Sequence, residues 1–429
     1  MDVTGWLLAR ARPCAFVVAA VGGTGARLAV ERQLRERGWR QAAAPGEADL
    51  LVVCGSEDPE LADAVERVWA QMPGPRARVR VAGSEGAAAL LDSARARLLD
   101  VDRQRREAAE RDADARARVQ RSDGDGEHES PHDDGRSGED EHDRHGGGEN
   151  GSPHERSDHS DGHGRDGDDG PDGEDSGHEH HDQSGGREHD HGHHDHGGMS
   201  MPGGIPMADR GPDRDGLRLD RLHVSLGPAL ADWPAGLCLR LILQGDVVQE
   251  AKAVVVCGSA TPSTFWDVPG PAADLDSAQR LLAVAGWPSA AVAGRRWRDA
   301  LLTEPDPSEP TRRGVLRWLR RVRRSRVLRW STGGLGRITG PAPDPLLGDV
   351  TDRWSRRLDR VEAAVGTSGM PSRAERDTSA GRAEAAEAAV DLLPSLVTGQ
   401  ELAAVRLIVA SLDPDLAALR AHAPGRTHG

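Results

Sequence analysis

This 429-residue chain has no tyrosine, two phenylalanines and a single lysine, Lys252, so arginine carries almost all of its positive charge. No segment reaches the roughly 18 consecutive apolar residues of a membrane-spanning helix, which limits any expected membrane contact to a peripheral one. None of the four cysteines forms a CxxC pair. All four stand among apolar residues, which predicts buried, reduced thiols in a cytoplasmic protein. They are Cys14, Cys54, Cys238 and Cys257.

The stretch from Ser122 to Gly198 contains no Ala, Val, Ile, Leu, Met, Phe, Trp, Tyr or Cys. It has no apolar surface to bury and cannot offset the entropy of ordering its backbone. It also concentrates the acidity of the chain, with 25 acidic residues and 5 arginines between Asp123 and His196. We therefore predict an N-terminal module (residues 1–120), a disordered His/Asp/Gly-rich connector (121–204) and a C-terminal module (205–429).

Fifteen of the 18 histidines lie in this connector, between His128 and His196. Neutral imidazoles interleaved with carboxylates suit Zn²⁺, Ni²⁺ and Cu²⁺. The spacing fixes no coordination geometry, so we expect weak, exchangeable binding of nickel or zinc. The alternative is a tether that only keeps the chain in solution. The candidate ligands form the densest run: His178, His180, His181, His189, His191, His193, His194 and His196.

The N-terminal module alternates apolar runs with helical patterns, which predicts an α/β fold with a short parallel sheet. Gly22 to Gly25 form a turn after the first run. This turn could offer amides to an anion, but it matches no nucleotide-binding motif, and a plain tight turn is the favoured interpretation. Strands are predicted at 14–21, 49–54 and 76–81, and helices at 26–37, 59–71 and, as one long helix, from Ser84 towards Gln120.

The C-terminal module is predicted to be α+β and mostly helical. Residues 199–216 indicate an irregular lead-in, and Gly245-Asp246 indicates the turn of an antiparallel hairpin. Predicted strands cover 217–224, 237–243 and 247–256, and predicted helices begin at Ala272 and cover 311–329, 350–365, 382–393 and 399–421.

The segment EADLLVVCGSEDPELADAVERVWAQMPGPRARVRVAG, Glu47–Gly83, resembles the B subunit of NADH-quinone oxidoreductase (respiratory complex I). The same fold serves as the small subunit of energy-converting nickel-iron hydrogenases. The resemblance implies an iron–sulfur cluster held by cysteines, because cluster irons need thiolates. Here Gly23, Ala26 and Glu85 stand at the implied ligand positions. We therefore expect no cluster of the family type.

The segment LHVSLGPALADWPAGLCLRLILQGDVVQEA, Leu222–Ala251, resembles the opening of the D subunit of the same complex, which is related to the hydrogenase large subunit. DLDSAQRLLAVAGW (Asp274–Trp287) and residues 328–365 extend the resemblance in the same order. It implies a histidine loop that meets quinone, but residues 229–235 contain no histidine, and the quinone-contacting tyrosine and the nickel-binding CxxC pairs are missing. His223 is interpreted as a structural residue rather than a proton carrier.

The segment Thr311–Trp330 holds nine arginines. Three interpretations are open. The segment binds an anionic membrane surface or an acidic partner as a peripheral contact. Alternatively, it is a solvated helical face, or it contacts the connector of the same chain. Nucleic acid is not expected, because no aromatic platform accompanies the charge.

These observations favour a degenerate fusion of two redox-subunit-like modules that pack on each other. We expect a non-catalytic structural or assembly partner among the proteins of a redox or hydrogenase-like complex. One alternative is a metal-handling protein that acts through its connector. Another is a true electron-transfer subunit that uses a cluster of its partner, so enzymatic activity stays open. The expected location is the cytoplasm, with peripheral contact at the inner face of the membrane.

Overall fold

A parallel sheet of four strands forms the centre of the N-terminal module. The computed structural model describes residues 12–56, 59–124, 210–212, 218–257, 264–266, 270–304, 306–366 and 379–422. The strands are β1 (Cys14–Ala19), β2 (Arg40–Gln41), β3 (Leu50–Cys54) and β4 (Ala77–Val81), in the order β2-β1-β3-β4. The helices are α1 (Thr24–Glu36), α2 (Pro59–Gln71), α3 (Ala87–Leu99) and α4 (Val101–Gly124).

Helices cover both faces of this sheet, which explains why β1 and β3 are continuous apolar runs. Side chains alternate along each strand, so β1 sends Ala15 and Val17 to one face and Phe16 and Val18 to the other. The first face packs against α1 and α3, and the second packs against α2. The predicted α/β fold with a parallel sheet is confirmed, and β2 adds a short edge strand that the sequence did not predict.

The prediction of one long helix from Ser84 is wrong. Gly86 precedes the helix in a left-handed conformation (φ 73°), so α3 begins at Ala87 rather than at a serine cap. Asp100 then takes an extended conformation, and its Oδ1 accepts a hydrogen bond from the amide of Arg103 at 3.0 Å. This side-chain bond caps the start of α4 and divides the predicted helix in two.

The C-terminal module opens with an antiparallel sheet, as predicted. Its strands are β5 (Arg210–Pro212), β6 (Arg218–Leu226), β7 (Leu237–Gln244) and β8 (Val247–Val255), in that order across the sheet. Gly245, with φ 60°, makes the hairpin turn between β7 and β8. Leucines at alternate positions of β7 point into the core and are at most 4% exposed, because only one face of the strand meets the helices. Within the predicted irregular lead-in, the structure places β5.

Helices form the rest of this module, which confirms its mostly helical character. They are α5 (Pro271–Val284), α6 (Pro288–Thr303), α7 (Glu309–Arg323), α8 (Arg326–Thr332), α9 (Val350–Gly366), α10 (Ser379–Val397), α11 (Leu402–Leu412) and α12 (Leu416–His422). The sequence missed α6, which has Pro288 in its first turn. It also joined two pairs of helices. Ser325 caps α8 and separates it from α7, and Asp413, in a left-handed conformation (φ 45°), ends α11.

The predicted connector lies almost wholly outside the described residues, so its predicted disorder stays a prediction. The parts before Gln120 and after Pro206 belong to one compact unit. Among the described helices, none is both long and apolar enough to cross a membrane.

Candidate functional site at the junction of the two modules

A loop of the C-terminal module enters the apolar core of the N-terminal module. The loop, residues 227–236, joins β6 to β7 and contains the positions where the resemblance implies histidines. Ala229 and Ala231, each 6% exposed, pack in the buried cluster that lies between β1 and α2. In return, Val21 of the N-terminal module belongs to the core cluster of the C-terminal module. Each module therefore completes the core of the other.

Trp233 holds this loop in shape. Its indole Nε1 donates a hydrogen bond to the carbonyl oxygen of Leu237 at 2.7 Å, and the side chain is buried. Gly227 has a φ of 87°, and a Cβ added there would overlap both that carbonyl oxygen and the indole. Position 227 therefore requires glycine. The loop is therefore a closely packed turn, and its side chains are not arranged as reactive groups facing a substrate.

Helix α1 faces α5 and α6 through a cluster of buried charges. Arg27 donates to Asp276 at 2.6 Å and to Glu31 at 2.9 Å. Arg298 donates through Nη1 to Glu31 Oε2 and Asp276 Oδ1, both at 2.7 Å. Arg298 also donates to Asp299, which forms an ion pair with α1. The charge network consists of Arg27, Glu31, Arg35, Asp276, Arg298 and Asp299.

The charge network pairs three arginines with three carboxylates, and Arg280 adds a further ion pair to Asp276 at 3.4 Å. Arg298 and Asp276 are 0% exposed, so the loss of either one would leave the network with an unbalanced buried charge. Burial alone would raise the pKa of Glu31, but Arg27 and Arg298 outweigh it and lower that pKa to about 2. Burial likewise opposes ionisation of Asp276, and Arg27, Arg280 and Arg298 hold its pKa well below the usual range. Both carboxylates therefore stay ionised at neutral pH.

Arg295 of α6 links three elements at the edge of the junction. Its Nε donates to the side-chain oxygen of Gln279 in α5, and its Nη2 donates to Asp232 of the loop, each at 2.7 Å. Its Nη1 donates to the side chain of Gln41 in β2. One guanidinium thus holds the loop, the C-terminal helices and the N-terminal sheet in register.

The turn between β1 and α1 has no room for a side chain at Gly23. A Cβ added there would overlap the carbonyl oxygen of Cys54. Ala26, the next position with an implied cluster ligand, is buried in α1, and Glu85 is exposed before α3. A ligand at position 23 would therefore require a shift of the backbone.

The cysteines do not fit a cluster of the family type. Cys54 comes closest to the Gly23 turn, but burial raises its pKa far above the usual range, and Glu31 raises it further. Its thiol is therefore disfavoured as a thiolate ligand, and it belongs to β3 rather than to the turn. Cys14 and Cys238 are also buried, as predicted, but the prediction of a buried Cys257 is wrong, because this residue lies beyond the end of β8 and is only half-buried. Within the described ranges, no group of three or more His, Cys, Asp or Glu side chains is arranged to hold a metal ion.

A cavity of about 190 Å³ lies at the junction. The turn after β1 lines one side through Gly22 and Thr24, and the loop before β7 lines another through Trp233 and Pro234. These are the two segments that the resemblance associates with the cluster and with quinone. The rest of the lining comes from α5, α9, α10 and the chain around Asp413, and from Arg27, Trp266, Pro345 and Leu346.

Arginines and aspartates give this cavity its chemistry. Arg280 donates to Asp413 at 2.7 Å, and Arg382 donates to Asp415 at 2.9 Å. Arg357 donates to main-chain oxygens of α11. No histidine or cysteine is among the described residues of its lining. Guanidinium groups and ion-paired carboxylates hold charged groups in place.

The structure does not test the predicted metal ligands, because the histidines from His178 to His196 lie outside the described residues. His223 is exposed on β6. The charge network carries no sequence motif, and sequence reasoning missed it. The available signal was the position of Asp276 and Gln279 between the apolar residues of α5.

Compared with known proteins, the chain matches no protein-family model and no curated protein sequence.

Proposed function

We propose that this chain is a non-catalytic structural or assembly partner of a redox complex. It would combine two degenerate modules that are similar to the B and D subunits of NADH-quinone oxidoreductase. The support comes from one observation at the junction. Where the resemblance implies thiolates and histidines, the chain has Gly23, Ala229 and Ala231, and the surrounding polar contacts are ion pairs. Residues that pack remain, whereas residues that react are replaced.

The metal content of the purified full-length chain separates this proposal from electron transfer. Anaerobic purification should give colourless protein without stoichiometric iron or acid-labile sulfide, because Gly23, Ala26 and Glu85 stand at the implied ligand positions and none carries a thiol. One cluster per chain would overturn the proposal and favour an electron-transfer subunit.

The assembly role makes a second prediction. Full-length tagged chain, isolated gently from its own cells after brief cross-linking, should bring down subunits of a redox complex. The matched control is Arg298→Met, which should weaken that recovery by disturbing the module junction. Recovery of the wild-type chain without any redox subunit would contradict the assembly role while leaving the metal analysis valid.

A second candidate function, metal handling, rests on the concentration of 15 histidines in the predicted connector. His178 to His196 should bind Ni²⁺ or Zn²⁺ with micromolar or weaker affinity, and Cu²⁺ more tightly. Binding should weaken steeply between about pH 7 and 5, because metals need deprotonated imidazole. Calorimetry should compare the full chain with a deletion of residues 178–196. Uptake that the deletion leaves unchanged would exclude this function for the connector.

A further inference from the structure

The outer sides of α7 and α8 form a concentrated basic surface. Val315, Leu319 and Val322 of α7 are 0% exposed, which fixes the opposite side of this helix towards solvent. That side carries arginines at helical spacing and continues into α8. The arginine face consists of the exposed residues Arg317, Arg320, Arg324, Arg326 and Arg329.

The charge of the arginine face is not neutralised within the part of the chain that the structure describes. None of its five members has a carboxylate at ion-pair distance there. By contrast, the neighbouring Arg312, Arg313 and Arg323 pair with acidic residues. The sequence also has no Asp or Glu between Glu309 and Asp344. The surface therefore carries a local excess of positive charge that attracts a polyanion.

Two large apolar side chains project from the same segment. Val327 is 74% exposed and Trp330 is 85% exposed. They are the two most exposed of the large apolar side chains that the structure describes. On the other side of α8, Leu328 and Thr332 are buried, so the direction of the helix is fixed by packing. An exposed tryptophan beside basic residues is typical of side chains that enter a lipid–water interface.

We propose that the arginine face, together with Val327 and Trp330, binds the surface of an anionic lipid bilayer. The guanidinium groups contact lipid phosphates, and the indole of Trp330 enters the headgroup region. Arginine suits this contact because its planar donors match phosphate oxygens. This inference does not depend on the proposed function, since lipid binding requires neither a redox partner nor a particular content of iron.

The acidic connector fits this surface less well. It could neutralise the arginines, but its acidic stretch from Ser122 to Gly198 has no apolar side chain other than proline to cover Val327 and Trp330, and Met199 and Met201 come only after that stretch. An acidic protein partner would match the charge alone. A bilayer offers phosphates and an apolar layer at the same surface, so it accounts for both parts of the observation.

Flotation of the full-length chain with lipid vesicles tests the proposal. Vesicles with 30% anionic lipid are compared with purely zwitterionic vesicles at about 0.1 M salt. We expect binding to the anionic vesicles only. Each arginine contributes about fivefold to affinity near such a surface, so Arg320→Gln with Arg324→Gln should weaken binding by roughly 25-fold. Trp330→Ser should weaken it by roughly tenfold.

Two control variants make the same kinds of substitution at exposed positions outside the arginine face. Arg32→Gln with Arg106→Gln removes the same charge, and Val292→Ser removes an apolar side chain that is 51% exposed. Both should bind like the wild type. Failure of the wild type to bind anionic vesicles would overturn the proposal and favour coverage by the connector or a protein. Binding that responds to the arginine variant but not to Trp330→Ser would overturn the bilayer as the partner and leave a general attraction to polyanions. Equal losses in the control variants would also contradict it.

Discussion

The module junction and the arginine face use the same side chain in opposite ways. At the junction, Arg298 is fully buried and bonded to Glu31, Asp276 and Asp299. On the arginine face, Arg324 is exposed and has no ion-paired carboxylate in the described part of the chain. A buried charge without its partner destabilises the fold by several kcal/mol, whereas an exposed charge affects stability little. The buried arginines of the charge network therefore position the two modules, whereas the five of the arginine face have no ion-paired carboxylate in the described part of the chain.

The largest difference between the two regions should appear in stability. Arg298→Met keeps much of the side-chain length but removes one of the buried cations that Glu31, Asp276 and Asp299 share with Arg27 and Arg35, so it should lower the free energy of unfolding by about 3–5 kcal/mol. Arg324→Met, the matched change on the arginine face, should change it by less than about 0.5 kcal/mol. Urea denaturation of both variants measures the contrast. Equal losses of stability in the two variants would mean that the buried ion pairs of Arg298 do not stabilise the fold.

Acid should weaken the junction selectively. The pKa of Glu31 is lowered from 4.5 to about 2 in the folded chain. Its contribution is thus complete above pH 4.5 and is lost as pH falls towards 2, a change on the order of 3 kcal/mol. Stability profiles of the wild type and Glu31→Gln, recorded between pH 7 and 2, should converge in this window. Parallel profiles throughout would contradict the assigned ion pairs.

The turn at Gly23 should tolerate change less than a glycine elsewhere. Gly23→Ala places a Cβ against the carbonyl of Cys54 and should cost about 1–3 kcal/mol. Gly46→Ala is the control, because an added Cβ there meets nothing within 4 Å. Thermal unfolding compares the two variants. If Gly23→Ala leaves the stability unchanged, the turn has space for a side chain. The overlap with the Cys54 carbonyl would then no longer argue against a cluster ligand at position 23.

Salt should have the smallest effect on the fold. Raising NaCl from 0.05 to 0.5 M screens exposed charges but reaches buried pairs poorly. The free energy of unfolding should therefore change by less than about 0.5 kcal/mol, while vesicle binding through the arginine face should fall severalfold. A large loss of stability in salt would place the charge network in contact with solvent.

The sequence predicted the secondary structure of both modules better than their boundaries or their junction. The buried strands β1 and β3 were visible as apolar runs, and the β7–β8 hairpin was visible from Gly245. Breaks at Asp100 and Ser325 were missed, because a polar capping side chain inside a helical pattern looks the same as a solvated one. Whether such a side chain caps a helix or only faces solvent depends on the tertiary fold and not on the local sequence pattern.

The candidate site was harder to predict than the fold. Pairing of Arg27 with Asp276 joins residues 249 positions apart, and no local spacing encodes that contact. The loss of reactive residues at Gly23 and in the 229–235 loop could be seen in the sequence through the resemblance alone. What fills their place, Ala229 and Ala231 in the core of the other module, required the structure.

Cleavage of the full-length chain within the predicted connector tests the central claim, that the junction alone holds the two modules together. A specific protease site inserted after Asn150 allows the folded chain to be cut and then analysed by gel filtration at micromolar concentration. The interlocked cores and the charge network predict that both pieces elute together, and that Arg298→Met shifts them towards separate elution. Separate elution of the cut wild-type pieces would contradict this account of the junction.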